Sequence, residues 1–354
     1  MSKMPISVCI IAKNEEKYIE ECLKKLKPHG FEIVVTDTGS TDRTKEIAMK
    51  YADKVVDFEW VNDFSAARNF CASQASNNWI LALDCDEYVE SVDLRILRVL
   101  LQQKPKQVGV IRMKNLQMRE NDNIGYSVDD LPRLYNRNYY TYDKPIHEQI
   151  MHKKEDLDIL EGFLMPMEVI HHGYAITGEA MDKKQERNLE ILYEGIKNEP
   201  DNPYYYFQAG CSLQVLKRYE EAASMYEKGL AFNPSTEKTY VIEMITSLAT
   251  VYSDMERNQD ALAVMDRYAP KCNSANFCFT HANILLKNDQ PLKAVVHFLK
   301  ATMMKDANTL GERLLTCYER IIAIYQRTGN DDMAKMFEQK YLDCRAERER
   351  IVNK

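Results

Sequence analysis

No CxxC pair occurs anywhere in the 354 residues, although there are nine cysteines: Cys9, Cys22, Cys71, Cys85, Cys211, Cys272, Cys278, Cys317 and Cys344. An odd number of scattered thiols is no disulfide framework, and zinc or iron–sulfur spacing is missing. The cysteines read as the reduced thiols of a cytoplasmic protein. Nor does any window approach the roughly 18 apolar residues of a membrane span, and the opening MSKMPISVCIIAKNEE turns to charge before a signal-peptide core can form. A soluble chain without an integral membrane segment is expected. Positive charge is in deficit as well: 47 Lys and Arg against 54 Asp and Glu leave a net charge of -7, so nothing in the balance points to a nucleic-acid partner. The motifs GxxxxGK[ST], GxGxxG and GxSxG are absent, which argues against a P-loop NTPase, a dinucleotide-binding site and a hydrolase nucleophile elbow.

What is present divides at about Gly178. Residues 1–178 alternate short β-branched runs with amphipathic stretches, the grammar of an α/β layer. Strands are expected at Ile6 to Ile11, Phe31 to Thr36, Lys54 to Phe58, Trp79 to Leu83 and Gln107 to Met113, in a mostly parallel sheet. Helices are expected from Asn14 to Lys27 and, capped by Ser40 or Thr41, to about Tyr51. Residues 179–354 lose the strand signal and carry helical periodicity throughout. Asn198-Glu199-Pro200 and Phe232-Asn233-Pro234 lie 34 residues apart with two helices between them, and comparable second-helix starts recur at Ala222, Ala261, Ala294 and Ala334, in loose steps of 39, 33 and 40 residues. The stretch resembles a tetratricopeptide (TPR) array, with a plain helical bundle as the alternative. Tyr204-Tyr205-Tyr206 cannot all face one core, so at least one of them should line a surface or groove.

Two stretches carry chemistry. In Leu81-Ala82-Leu83-Asp84-Cys85-Asp86-Glu87 an apolar strand runs into carboxylates spaced two apart. That arrangement suits a hard cation completed by phosphate oxygens, and equally suits acids that only end a strand and cap the next helix. In Val34-Val35-Thr36-Asp37-Thr38-Gly39-Ser40-Thr41-Asp42 a strand meets a tight turn and a helix start, leaving backbone N–H groups for a ligand. Asp37 could accept from a nucleobase, while Ser40 and Asp42 are read as caps. Two histidines, His171 and His172, precede Gly173-Tyr174; an imidazole there is a plausible further ligand for Mn²⁺.

Taken in order, SVCIIAKNEEKYIEECL, VVTDTGSTDRTKEIA, WVNDFSAARN and WILALDCDEYVE resemble a family 2 glycosyltransferase of the GT-A fold, strongly over residues 5 to 100. The likeness continues through LPRLYN, IHEQ and IHHGY, which are similar to the branch with C-terminal TPR-like repeats, including bacterial peptide and protein glycosyltransferases. The resemblance implies an α/β GT-A (nucleotide-diphospho-sugar transferase) domain at 1–178, followed by an all-α TPR-like helical repeat domain at 179–354.

By the same resemblance, Ala12, Asn14 and Glu15 border the nucleotide and Asp37 meets a uracil-like base. Asp84 and Asp86 form the DxD pair, Asp86 nearer the metal and Asp84 nearer the ribose, with His171 as third protein ligand of Mn²⁺ or Mg²⁺. Arg68, Asn69, Arg133 and the Cys85 segment belong to the nucleotide-sugar site, the Cys85 side chain itself reading as small core. The family often has a second acid where this chain has Thr38. Glu148 is the candidate general base, its alternative a salt bridge to Arg133 or Lys144. The implied activity is metal-dependent, inverting transfer from a UDP-sugar to a peptide or protein, O- or S-linked, with the acceptor held by the repeats. Rival expectations are transfer to a cell-surface polysaccharide or lipid-linked precursor, and an interaction scaffold with an inactive transferase domain. The repeats could also pair two copies of the chain.

Overall fold

The computed structural model describes residues 3–118, 124–155, 160–173 and 178–352, and the chain forms two units, Met1–Met181 and Asp182–Lys354. In the first, the apolar runs become strands β1 (Ile6–Ala12), β2 (Glu32–Asp37), β3 (Lys54–Asp57) and β4 (Trp79–Leu83). They lie in the order β3-β2-β1-β4, all parallel, so their C-terminal ends share one edge. β4 reads WILAL and is buried along its whole length, the near-continuous apolar pattern of a strand covered on both faces. Alternation sorts the side chains between two cores. Ile6, Val8, Ile10, Leu81 and Leu83 enter the larger; Cys9, Val34, Ile80 and Ala82 enter the smaller. Helices α1 (Ile19–Leu26), α2 (Thr44–Tyr51) and α4 (Leu94–Gln103) bring Leu23, Ile47 and Leu97 to the larger core. On the other side, α3 (Phe64–Gln74) adds Cys71 and Ala72, and a small antiparallel sheet of β8 (Tyr140–Asp143) and β9 (Gln149–His152) adds Tyr140, Tyr142 and Ile150.

The large sheet is mixed, not mostly parallel. Beyond β4 it continues β7 (Ile124–Asn136), β6 (Val108–Met118), β10 (Gly162–His171) and β5 (Glu87–Val92), with β7 antiparallel to both neighbours, β5 antiparallel to β10, and β10 parallel to β6. From Val108 to His171 no helix occurs among the described residues, and strands joined without a crossover helix return antiparallel. Local differences have equally plain causes. The first helix starts at Ile19, not Asn14, because Asn14 takes a left-handed φ of 56° and the residues after it are tied to the loop following β2. Similarly, α2 starts at Thr44, where Asp42 Oδ1 accepts from the Thr44 N–H at 2.9 Å.

The second unit contains, among the described residues, only helices: α5 (Glu179–Asn198), α6 (Pro203–Val215), α7 (Tyr219–Ala231), α8 (Thr239–Asp254), α9 (Asn258–Tyr268), α10 (Ala275–Lys287), α11 (Pro291–Met303), α12 (Arg313–Arg327) and α13 (Asp331–Val352), with one short 3₁₀ turn. One turn recurs in four hairpins. Lys217, Glu256, Asp289 and Gly329 each adopt a left-handed φ of 54 to 71° just past the first helix. The next residue's N–H returns to a carbonyl in the last helical turn: Arg218 to Leu213, Arg257 to Tyr252, Gln290 to Leu285 and Asn330 to Tyr325, at 2.8 to 2.9 Å. This is the bond of a Schellman C-cap. These turn residues step by 39, 33 and 40, and the unevenness comes mainly from the helices between them, which vary from 11 residues in α9 to 16 in α8, and less from the segments between hairpins. Within each hairpin the geometry is fixed, and Ala222, Ala261, Ala294 and Ala334 are all buried where the second helix begins. At Gly210 a methyl group would run into the Tyr226 ring, which marks how closely α6 and α7 approach. Of the three tyrosines, Tyr205 is buried while Tyr204 and Tyr206 stay half-exposed. The unit is a TPR-like array. None of its helices, nor any other among the described residues, is long and apolar enough to cross a membrane.

Two imidazoles inside this unit predict an acid response. His281 on α10 is 2% exposed, sits 4.1 Å ring to ring from His297 on α11, and its Nε2 lies 3.1 Å from Asp266 Oδ1; the Nδ1 atoms of both histidines are buried without a partner. Burial holds both rings neutral below the usual histidine range, His297 to about 4, with His281 and Lys300 adding to the push and Asp266 opposing it. Unfolded, each would take up a proton near pH 6.5. Between these limits the unfolded chain binds more protons, so stability falls as pH drops from about 6.5 toward about 4. The expected loss is roughly 1 kcal/mol, since His297 is half-exposed and screened by solvent. Thermal midpoints followed by helical circular dichroism across this range should fall by roughly 2–4 °C more in the native chain than in His297→Gln; parallel curves would refute the assignment.

Candidate active site

The parallel half of the sheet sets the position of the site. Ala12 pairs with Asp37 and Ile10 with Leu83, so the segments leaving β1, β2 and β4 emerge side by side, the edge where open α/β sheets take ligands. The first two segments are laced together. Thr41 N donates to Asn14 Oδ1 at 2.8 Å, Asn14 N to Ser40 Oγ at 3.0 Å, Glu15 N to Thr44 Oγ1 at 2.7 Å, and Thr38 donates its N–H and its hydroxyl to the Ala12 carbonyl. Thr38 is thereby occupied in joining β1 to β2. Asp37 Oδ2 accepts from the N–H groups of Gly39 and Ser40, at 3.2 and 3.1 Å, while Oδ1 is buried with no protein partner. A buried carboxylate oxygen with nothing to accept from is costly unless a ligand supplies the donor.

Around the acidic run, five charged side chains from four parts of the chain make one cluster. Arg68 on α3, a helix capped by Asp63, is 6% exposed; it donates Nε to Glu148 Oε1 at 2.6 Å and Nη2 to Asp84 Oδ1 at 2.9 Å, and Nη1 is buried without a partner. Arg133 on β7 donates to Glu87 Oε1 at 2.5 Å and to Asp84 Oδ2 at 3.4 Å. Glu87, 1% exposed, closes the turn by accepting from the Asp84 N–H at 3.0 Å. Burial alone would raise the Asp84 pKa, but the two guanidiniums overcome it and hold the carboxyl well below the usual range. Glu87 goes the other way: burial lifts it to about 7 against the pull of Arg133, with the Asp84 charge adding to the rise. Asp84 is thus a bridge between two arginines. Glu148 is indeed in a salt bridge, with Arg68 and not with the Arg133 or Lys144 that the sequence suggests.

Asp86 stands apart from this cluster. Its Oδ2 lies 3.3 Å from His171 Nε2, each side chain 21% exposed, and its carbonyl accepts from His172 N at 2.9 Å. Burial would lower the His171 pKa, yet Asp86 outweighs it and the ring titrates above its ordinary value. Gly173 packs directly on the pair: a methyl group there would collide with Asp86 Oδ2 and come within 3.2 Å of His171 Nε2. His172 instead stacks on Tyr88 at 4.3 Å. Cys85, between the aspartates, is buried with Sγ facing the Ile11 carbonyl at 3.9 Å. Burial raises its pKa well above the ordinary thiol value, which suits a packing role.

Asn69 does not reach the acids. Its Nδ2 donates to the Tyr142 carbonyl at 2.8 Å and its Oδ1 accepts from Tyr142 N and Thr141 Oγ1, so the amide pins β8 to α3. Sequence reasoning gives no role to Glu87, although it stands in the same acidic run, nor to Gly173. Asn115, which meets His171, lies in β6 just beyond the strand expected at Gln107 to Met113, where the sequence gives it no role.

No group of three ligand-type side chains among the described residues could by itself hold a metal ion. What the chain offers is one carboxylate oxygen and one imidazole nitrogen converging at Asp86 and His171. That donor pair fits a cation whose remaining positions belong to phosphate oxygens and water, and mixed oxygen and nitrogen donors suit Mn²⁺.

Residues 7–155 match the family model described as Glycosyl transferase family 2. Over 361 aligned residues the chain is 25% identical to the SPbeta prophage-derived glycosyltransferase SunS of Bacillus subtilis, covering 96% of this chain and 84% of that one. A TPR repeat-containing protein of Synechococcus elongatus is 29% identical over 271 residues, 74% of this chain and 64% of that one. Among solved structures, MamA is 16% identical with a TM-score of 0.40, covering 49% of this chain and 99% of that one. The spatial arrangement of the strand ends, the laced loops and the acidic cluster falls within the matched residues but for His171, and the chain carries a family 2 glycosyltransferase domain at residues 7–155 and is a glycosyltransferase.

Proposed function

We propose that the enzyme moves a sugar from a UDP-sugar to a peptide or protein acceptor, through oxygen or sulfur, with inversion at the anomeric carbon and with Mn²⁺ or Mg²⁺. The observation that carries the reading is the convergence of Asp86 and His171 beside an arginine-bridged Asp84 and an Asp37 with one unpartnered buried oxygen. Asp37 Oδ1 would accept from the base, Asp84 would accept from the ribose while Arg68 and Arg133 hold it ionised, and Asp86 with His171 would hold the cation. When bound, the cation neutralises charge growing on the departing diphosphate. Glu148 is the proposed base: its carboxylate takes the proton from the acceptor's hydroxyl or thiol as that atom attacks the anomeric carbon, and Arg68 fixes its orientation. A polypeptide acceptor is favoured by the TPR-like array on the same chain, since stacked helix pairs hold extended segments, and by the half-exposed Tyr204 and Tyr206 with the exposed Phe232 on its surface.

Purified protein incubated with a panel of UDP-sugars and Mn²⁺ should release UDP from one of them. The release should vanish with EDTA and drop at least about 100-fold in Asp86→Ala. No release together with no UDP binding would overturn the donor assignment and leave an interaction scaffold as the better reading.

A further inference from the structure

We propose that Asn115, held by Asp129, is the positioning residue that sets the tautomer of His171; the inference rests on the reading that Asp86 and His171 hold the cation. The strand register brings the groups together. His171 on β10 is paired with Asn115 on the parallel neighbour β6, and β6 is paired in turn with the stretch of β7 that carries Asp129. Asn115 is 2% exposed, so both ends of its amide need partners. Its Nδ2 donates to Asp129 Oδ2 at 2.6 Å, and its Oδ1 lies 3.0 Å from His171 Nδ1.

An ionised carboxylate only accepts, so Asp129 decides which end of the amide faces it, and the oxygen is left for the ring. That oxygen also only accepts. Nδ1 therefore must carry a hydrogen to keep that bond; Asp86 Oδ2, 3.3 Å from Nε2, is a competing acceptor, so in the neutral, metal-free ring Asn115 is the group that holds the Nδ1–H form, whose Nε2 lone pair is free for a cation. The opposite tautomer would set a lone pair against the Asn115 oxygen and point an N–H toward Asp86, leaving no nitrogen donor for a cation. Asp129, Asn115, His171 and Asp86 thus form a chain in which a carboxylate on a neighbouring strand orients a ligand two residues removed from it. Partners of this kind alter metal affinity by about 10- to 100-fold when removed.

The test reads the ring without metal. Two-bond proton–nitrogen correlation spectra of the full-length, metal-free protein with ¹⁵N-labelled histidine, at a pH where the ring is neutral, should show an Nδ1–H population of His171. His171→Gln assigns the signal. Asn115→Leu should move the ring toward the Nε2–H form and weaken Mn²⁺ binding in the presence of UDP by about 10- to 100-fold, followed by the electron paramagnetic resonance of free Mn²⁺. Asp129→Asn, at an exposed position, keeps the test open if Asn115→Leu does not fold; it should move the tautomer population the same way, less far. A ring wholly in the Nε2–H form in the native protein, or a tautomer indifferent to both substitutions, would overturn the proposal. An Nδ1–H ring that responds to both, with Mn²⁺ affinity unchanged in His171→Gln, would uphold the positioning and overturn the metal reading alone.

Discussion

Gly173→Ala should cost the enzyme about 100-fold or more in UDP release while the protein stays folded. The backbone at Gly173 is not in the left-handed region, so alanine meets no conformational penalty there; what it meets is Asp86 Oδ2, inside van der Waals contact. Asp86 must swing away, and its approach to His171 Nε2 goes with it. A single added carbon would thus disperse both donors of the proposed cation site, an effect comparable with deleting a group that stabilises the transition state directly. Circular dichroism and the denaturation midpoint should stay near native values. The decisive measurement is a double-mutant cycle: in an Asp86→Ala background, Gly173→Ala should add nothing further, because the group it displaces is gone. Native rates in the single variant, or a full additive loss in the double, would refute the argument.

Arg68→Met should be the most destabilising single change in the first unit, by about 3–5 kcal/mol, because removing one partner of a buried ion pair strands the other. Here it strands Glu148, while Asp84, whose side chain is 38% exposed, keeps Arg133. Asp84 and Glu148 both lose the guanidinium that joins them, in a setting where Arg68 is 6% exposed and Glu148 15%. Arg68→Lys should recover only part of the loss, since an ammonium cannot fork onto two carboxylates as a guanidinium does. The pH dependence carries a signature. Asp84 is held below its ordinary range in the folded protein, so its contribution is present above about pH 4, the unfolded value, and fades as pH falls through the lower folded one. The stability gap between native and Arg68→Met proteins, measured by urea denaturation, should be widest near neutrality and narrow below about pH 4. A gap below about 1 kcal/mol at neutral pH would show that the cluster adapts without Arg68.

How much of this is legible in the sequence depends on the kind of signal each part leaves. β1, β2 and β4 are apolar runs covered on both faces, and a run such as WILAL announces itself; the acids and turns behind them mark the strand ends, which is where the site sits. β5, β7 and β10 leave a weaker trace. Glu87-Tyr88-Val89-Glu90-Ser91 and the Asp129-Asp130-Leu131-Pro132 stretch mix charge, proline and apolar residues, because their geometry is dictated by neighbours that sequence separation hides. The same holds inside the site. That Asp84, Asp86 and His171 matter can be read from residue type and from the family resemblance, but the bridging of Asp84 by Arg68 and Arg133, and the meeting of His171 with Asn115, depend on strand order. In the helical unit the repeat is visible as alanines at uneven steps, and the unevenness is explained mainly by helices of different length between turns that are all alike.

The position of β10 has one further consequence. It is the strand inserted between β6 and β5, and its last residue, His171, pairs in register with Glu87 on one side and Asn115 on the other. Until that strand docks, β5 has no partner in the sheet order and Asp86 has no imidazole beside it. Contacts bridging some 80 residues of chain are late and slow to form, because the loop must be closed before the pairing rewards it. Completion of the sheet and completion of the Asp86–His171 pair are therefore one event. A partly synthesised N-terminal unit that stops short of β10 lacks the pair, and the molecule acquires it only with the pairing of β10 to its neighbours.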